Sequence, residues 1–264
     1  MGQVWVVRIW KITLLWVTGY FLGRTAIDHA HDIQALDFQP DFWLCLGGAV
    51  LLILASEWVA GLLWWRVLDF LGQSVPLGWA VSTFFKTTLA KYLPGNVWHL
   101  VGRVNASRQF GLAIERVGLS VIIEPLFMVT GGLILSLIYV KAIAIQILAL
   151  LAILILLHPW GVSQLSRFLA YVKQSARKNS TTIPPAEWEP IARYPWPEML
   201  LGLLFMLLRG SSFFLTMLTL GSIATQSLPE LISGFSLAWL LSIVLPAPGG
   251  MGSLSLRLFK FSMG

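Results

Sequence analysis

A single cysteine, Cys45, stands in the whole chain, which excludes an internal disulfide and any cysteine-held metal cluster. Charge is scarce as well. Asp, Glu, Lys and Arg make up 11% of the 264 residues, whereas soluble domains carry about 25%. No HExxH, GxSxG or Walker phosphate loop occurs, so the common hydrolase and nucleotide-binding signatures are missing and no enzyme is expected. The 12 acidic residues against 18 Lys and Arg leave a net charge of +6. In a soluble protein that excess would point to nucleic acid; in so apolar a chain it sets membrane topology instead, and no nucleic-acid partner is expected.

What is abundant is hydrocarbon. Apolar residues reach 57% of the chain and mean hydropathy is +0.78. Runs at 4–23, 42–65, 117–139, 142–157, 197–219 and 229–246 approach or exceed the about 20 residues that cross a bilayer core. The first does not read as a cleaved signal peptide, because no small-x-small site follows Gly23. The expected fold class is all-α: a polytopic integral membrane protein of about six transmembrane helices plus a re-entrant helical hairpin, in one domain over 1–264.

Basic residues collect in short cytoplasmic loops. Arg8 and Lys11 place the N-terminus inside, and Asp28, Asp32, Asp37 and Asp41 place the loop 24–41 outside. Arg66 is then inside, as is the loop 158–196 with Arg167, Lys173, Arg177, Lys178 and Arg193, and Arg257 and Lys260 finish inside. Trp43 and the Trp64-Trp65 pair mark the two interfaces of the second span. Because Arg66 and Arg116 fall on the same side, 67–115 must enter and leave by one face. Lys86, Lys91, His99, Arg103 and Arg108 make it too polar for two crossings. A hairpin over about 76–110, broken at Pro94-Gly95, satisfies both constraints. A second broken element begins at "LPAPGGMGS", Leu245 to Ser253, and occupies about 245–264. Between them, 173–196 is polar, proline-rich and expected to hold little regular structure.

Two constellations could carry chemistry. Thr83, Thr87 and Lys91 form one stripe of the incoming half-helix; Asn96, His99, Arg103 and Ser107 form one stripe of the outgoing half. Asn96 suits an N-cap, and the helix N-terminus with Lys91, His99 and Arg103 suits a phosphate-bearing head group. The plainer alternative lays both stripes toward cytoplasmic water on a surface amphipathic hairpin. Glu57, Glu124 and Arg209 lie inside spans, where a charge costs about 2.5–3.5 kcal/mol and faces the bundle interior. They form either a polar track for a head group or proton, or a structural Glu–Arg pair. His29 and His31 in "DHAHD" read as a solvated loop rather than a metal site. No metal and no cofactor are expected.

"KYLPGNVWHLVGR" (Lys91–Arg103), Glu124 in the following span and the late "LPAPGGMG" (Leu245–Gly252) together resemble the lysylphosphatidylglycerol synthase transmembrane-region family, also called flippase-like membrane proteins. The likeness runs from the second span to the end. It implies a domain that binds or flips lipids with charged head groups, here an anionic lipid or a polyprenyl-phosphate-linked glycan. It assigns Leu93, Pro94, Gly95 and Arg103 to the first re-entrant element and Pro248, Gly249, Gly250 and Gly252 to the second. Two departures stand out: Ser255 occupies a position where the family usually carries glutamate, and only residues 253–264 follow Gly252, so the C-terminal helices are expected to be missing. The absent soluble synthase domain disfavours aminoacyl transfer. Membrane lipids are the expected partners, with glycosyltransferases, other glycan-assembly proteins and a second copy of the chain as further candidates. A bacterial plasma (inner) membrane is the expected location. The rival readings are a non-transporting scaffold of a glycolipid or polysaccharide assembly complex, and a membrane lipid-phosphate transferase. The transferase would need a carboxylate pair for Mg²⁺, which the sequence near the hairpin does not offer.

Overall fold

The computed structural model describes residues 40–88, 98–138, 143–176, 193–219 and 227–244, with isolated positions before Pro40. The span 4–23 and the loop 24–41 therefore lie largely outside the described residues, as do 177–192 and the whole of 245–264. Eight helices are described: α1 Pro40–Phe70, α2 Leu77–Thr88, α3 Trp98–Gln109, α4 Ile114–Ser136, α5 Ile143–Leu157, α6 Pro159–Ala176, α7 Trp196–Thr219 and α8 Leu228–Val244. No strand occurs among the described residues.

Three of these, α1, α4 and α7, are long and apolar enough to cross a membrane. A fourth crossing is available if α5 and the start of α6 count as one span bent by 69°. The described part of the chain is thus all-helical and of integral-membrane character. The sequence expectation of six is not reached within the described residues: 4–23 falls outside them, and α8 is an apolar helix of only 17 residues. The segment 158–196 opens with α6, a regular helix, rather than starting as a loop. Pro159 at its first position explains why, since the ring's fixed φ suits the first helical residue while its missing N–H ends the ladder of α5.

Ends of helices fix the architecture. α1 runs past its apolar stretch and closes in a Schellman motif: Gln73 N–H bonds Leu68 O at 2.8 Å and Gly72 N–H bonds Asp69 O at 2.9 Å. Gly72 has φ +71°, and a Cβ there would also meet the Arg116 guanidinium at 2.6 Å, so two constraints select glycine. Arg116 Nη1 donates to Leu71 O and Gly72 O, and Ala113 N–H donates to Gln73 Oε1. These bonds pin the end of α1 to the start of α4. α3 ends in the same motif, with Gly111 at φ +77°.

The bundle itself alternates in direction. α1 and α7 are antiparallel, joined by Ser212 Oγ to Ala49 O at 2.9 Å near one end and by Arg66 to Glu198 near the other. α4 and α7 approach until their backbones nearly touch. A Cβ on Gly202 would lie 2.2 Å from Phe127 O, and one on Gly131 would lie 2.5 Å from Gly202 O. Small residues at such crossings are how membrane helices gain packing without a hydrophobic driving force. α8 lies antiparallel along α7, with Phe213 stacked on Phe235 and Phe205 edge-on to Trp239. It is tied to α4 by Ser233 Oγ to Ser136 O.

Between α1 and α4 stands the hairpin α2–α3. Trp79 stacks on Phe110 at 4.4 Å between centroids, and a Cβ on Gly102 would sit 3.0 Å from Thr87 Cγ2. Early α2 meets late α3 and late α2 meets early α3, so the two run antiparallel. Each has 12 residues, about 18 Å of rise, well short of the about 30 Å of a hydrocarbon core.

Candidate functional site

The site builds up from the inner face of α3. Only Arg103 and Ser107 are buried on this helix, a polar inner face where a soluble helix would show an apolar one. Its outer face grades along the axis. Trp98 and Val101 are exposed at the tip end, while Asn105, Arg108 and Gln109 are exposed at the open end.

Arg103, 4% exposed, donates from Nη1 to Glu124 Oε2 on α4. Its guanidinium lies over the Phe84 ring at 4.2 Å and over Trp64 at 5.2 Å, so α1, α2, α3 and α4 all meet at this one side chain. Trp64 in turn donates to Ser120 Oγ at 3.1 Å. Arg103 Nε is buried without a hydrogen-bond partner. Of the two stripes expected from sequence, Thr83, Arg103 and Ser107 are buried and Thr87 is half-buried. The Thr87 and Ser107 hydroxyls are spent locally, however. Thr87 Oγ1 donates to Thr83 O and Ser107 Oγ to Arg103 O, the back-bonding that helical Ser and Thr commonly make. His99 is half-buried in the first turn of α3. Lys91, Pro94, Gly95 and Asn96 lie outside the described residues, as do Pro248, Gly249 and Gly250.

The intramembrane ionisable residues resolve into two pairs. Glu124 takes Arg103 as partner, from the hairpin, and Glu57 on α1 accepts from Arg209 Nη2 on α7. Arg209 also lies over Phe205 at 5.4 Å, and its Nε is buried and unpartnered. One pair therefore fastens the hairpin to the bundle, and the other fastens α1 to α7. Both sit roughly two to three helical turns in from the end marked by Arg66, Arg116 and Glu198.

That end holds a charge cluster that the sequence reading missed. Glu198, fully buried, accepts from Arg193 Nη2 at 3.2 Å and faces Arg66 Nε at 3.8 Å, while Arg193 also bonds Asp69 at 3.1 Å. The available signal was an acidic residue in the first turn of an apolar helix, where it complements the helix dipole. No group of three or more His, Cys, Asp or Glu residues able to hold a metal ion occurs among the described residues. Compared with family models, curated proteins and solved structures, the chain finds no match.

Proposed function

We propose that this integral membrane protein binds a lipid with a phosphate-bearing head group and moves it between leaflets, with the α2–α3 hairpin as the re-entrant element that receives it. The anionic phospholipids and polyprenyl-phosphate-linked glycans are the candidate cargoes, as the resemblance to flippase-like membrane proteins implies. The observation that carries the reading is the inverted face of α3: Arg103 and Ser107 inward, Trp98 and Val101 outward at the tip, Asn105, Arg108 and Gln109 outward at the open end. A helix on a water-facing surface would bury apolar residues and expose polar ones along its whole length. A helix dipping into hydrocarbon from one side needs this gradient.

In this reading Glu124 is the internal counter-ion that keeps Arg103 neutralised until a phosphate replaces it. Lys91, Asn96 and His99 belong to the same head-group site, and Glu57 and Arg209 form the deeper gate between α1 and α7. The hairpin opens toward the cytoplasm, the N-terminus is cytoplasmic, and the membrane is the bacterial plasma membrane. Counting 4–23, α1, α4, α5, α7 and α8 gives six crossings, with α6 lying along the interface.

A second reading, a non-transporting scaffold for glycan assembly, draws support from the internal pairing of Arg103. Reconstitution separates the two. Purified protein in liposomes containing fluorescent phosphatidylglycerol or a fluorescent polyprenyl phosphate, with and without ATP, is expected to expose inner-leaflet lipid to an external reductant. Protection of that lipid under both conditions, equal to empty liposomes, would leave the scaffold.

A further inference from the structure

A different lipid contact is built into the elbow where α5 becomes α6. α5 has 15 residues, about 22 Å of rise. The chain then turns by 69°. His158 occupies the N-cap position of α6 and Pro159 the first helical position. The Trp160 backbone N–H donates to His158 Nδ1 at 3.2 Å. That bond makes Nδ1 an acceptor, so the neutral ring carries its proton on Nε2, on the far side from the backbone. Gly161 permits the sharp approach of the two helices, since a Cβ there would lie 2.5 Å from Ile155 O.

Two shallow grooves open at this elbow. One, of about 390 Å³, is lined by Ala152, Leu156 and Gln164 among others; the second, of about 360 Å³, is lined by Leu151, Leu154, His158 and Tyr194. Ile155 and Trp160 line both, so the two apolar troughs meet at these side chains. The rim is aromatic and polar: His158 lies 5.9 Å from Tyr194, and Tyr194 lies 4.8 Å from Trp196. Trp160 and Trp196 are both 63% exposed. Amphipathic rings in such a band mark the level of lipid ester groups and head groups. Arg167, two turns beyond Trp160 on the same face of α6, is exposed. Arg66, Arg103, Arg193 and Arg209 all face carboxylates, whereas Arg167 has no carboxylate partner among the described residues.

We infer that this elbow holds one anionic glycerophospholipid, its two acyl chains straddling Trp160 in the paired troughs and its phosphate set against Arg167. His158 Nε2–H and the Tyr194 hydroxyl donate to the ester and phosphate oxygens at the mouth. Two apolar troughs that share Trp160 fit a two-chain lipid, and the exposed, uncompensated Arg167 two turns further along the same face fits an anionic head group. The contact is independent of the hairpin: it is a resident lipid that seats α6 in the interface, not a transported one.

The test uses full-length protein in phosphatidylcholine vesicles doped with phosphatidylglycerol carrying a diazirine on one acyl chain, with a matched phosphatidylcholine probe as the second arm. After irradiation, cross-links are mapped by mass spectrometry. The phosphatidylglycerol probe is expected to mark 151–165 several-fold more than the lipid-facing stretch 51–58 of α1. Leu154→Trp, which fills one trough, should lower elbow cross-links and leave those of α1 unchanged. Arg167→Gln should reduce the preference for phosphatidylglycerol over phosphatidylcholine by about fivefold without lowering phosphatidylcholine cross-links. Equal marking of elbow and α1 by both probes, or a phosphatidylglycerol preference that survives Arg167→Gln, would overturn the proposal.

Discussion

The pairing of Arg103 with Glu124 can be tested by removing either partner. Both side chains are about 5% exposed, so neither variant gains water as a substitute. Breaking a buried pair by removing one charge costs about 3–5 kcal/mol, because the other is left uncompensated. The two single variants should not be equal. Glu124→Gln strands a guanidinium, which cannot lose its proton. Arg103→Gln strands a carboxyl group, and a buried carboxyl can become neutral by taking up a proton. Against this, Arg103→Gln also loses the stacking on Phe84 and Trp64, worth up to about 2 kcal/mol when desolvated. The expected order is therefore Glu124→Gln worst, Arg103→Gln milder, and the double variant better than the sum of the singles by about 2 kcal/mol or more. Reversible unfolding of detergent-solubilised protein in a denaturing surfactant, followed by helical circular dichroism, gives all four values of the cycle. If the losses from the two single changes simply add, the pair does not exist in the folded protein, and the hairpin is held by its aromatic contacts alone.

Gly202→Ala should destabilise by about 3 kcal/mol or more, at or above the top of the usual overpacking range, because its Cβ would enter the Phe127 carbonyl. Gly118→Ala, with open space around it, should be neutral or stabilise by about 0.5–1 kcal/mol; equal losses in thermal stability at both sites would contradict the α4–α7 contact. In a Cys45→Ser background, Ser74→Cys should react with an impermeant thiol reagent only in opened cells and Ser227→Cys in intact cells; labelling of Ser74→Cys from outside would reverse the topology. A spin label at Val101 should be relaxed by oxygen, which partitions into lipid, and one at Arg108 by a water-soluble paramagnetic ion; matched aqueous access at both would place the hairpin on the surface.

Much of the frame was readable from run length. The spans 42–65, 117–139 and 197–219 correspond to α1, α4 and α7, because crossing hydrocarbon demands a run that composition alone reveals. Their ends were not readable in the same way. α1 continues to Phe70 because Arg66 and Asp69, which end the apolar run, find partners in Glu198 on α7 and in Arg193 just before it. The pair of short helices α2 and α3 was legible from polar content and insufficient apolar length. Partner choice was not. Glu124 could have met Arg209 as readily as Arg103 on sequence grounds, and Glu57 and Arg209 are 152 positions apart; only the crossing of α1 with α7 joins them. α6 was legible but overlooked: Val162, Leu165 and Leu169 recur at helical spacing, a pattern masked by the polar, proline-rich stretch that follows.

The contacts also say which part of the molecule can move at modest cost. α1, α4, α7 and α8 are locked by backbone approach at Gly131 and Gly202 and by hydroxyl bonds across helices. The hairpin, by contrast, meets the bundle through side chains: the Arg103–Glu124 pair, the ring face of Trp64 under Arg103, Phe84 against Gly61, and, at its base, the hydrogen bond from Trp65 to Val75 O. Swinging α3 away from α4 costs about 3–5 kcal/mol for the opened pair. A lipid phosphate that takes Glu124's place on Arg103 returns about 1.5–3 kcal/mol for each charge-assisted bond, and two such bonds offset the loss. An uncharged lipid returns none of it. Under the proposed reading, access of a lipid phosphate to Arg103 therefore sets the opening, so selectivity and gating would reside in the same ion pair.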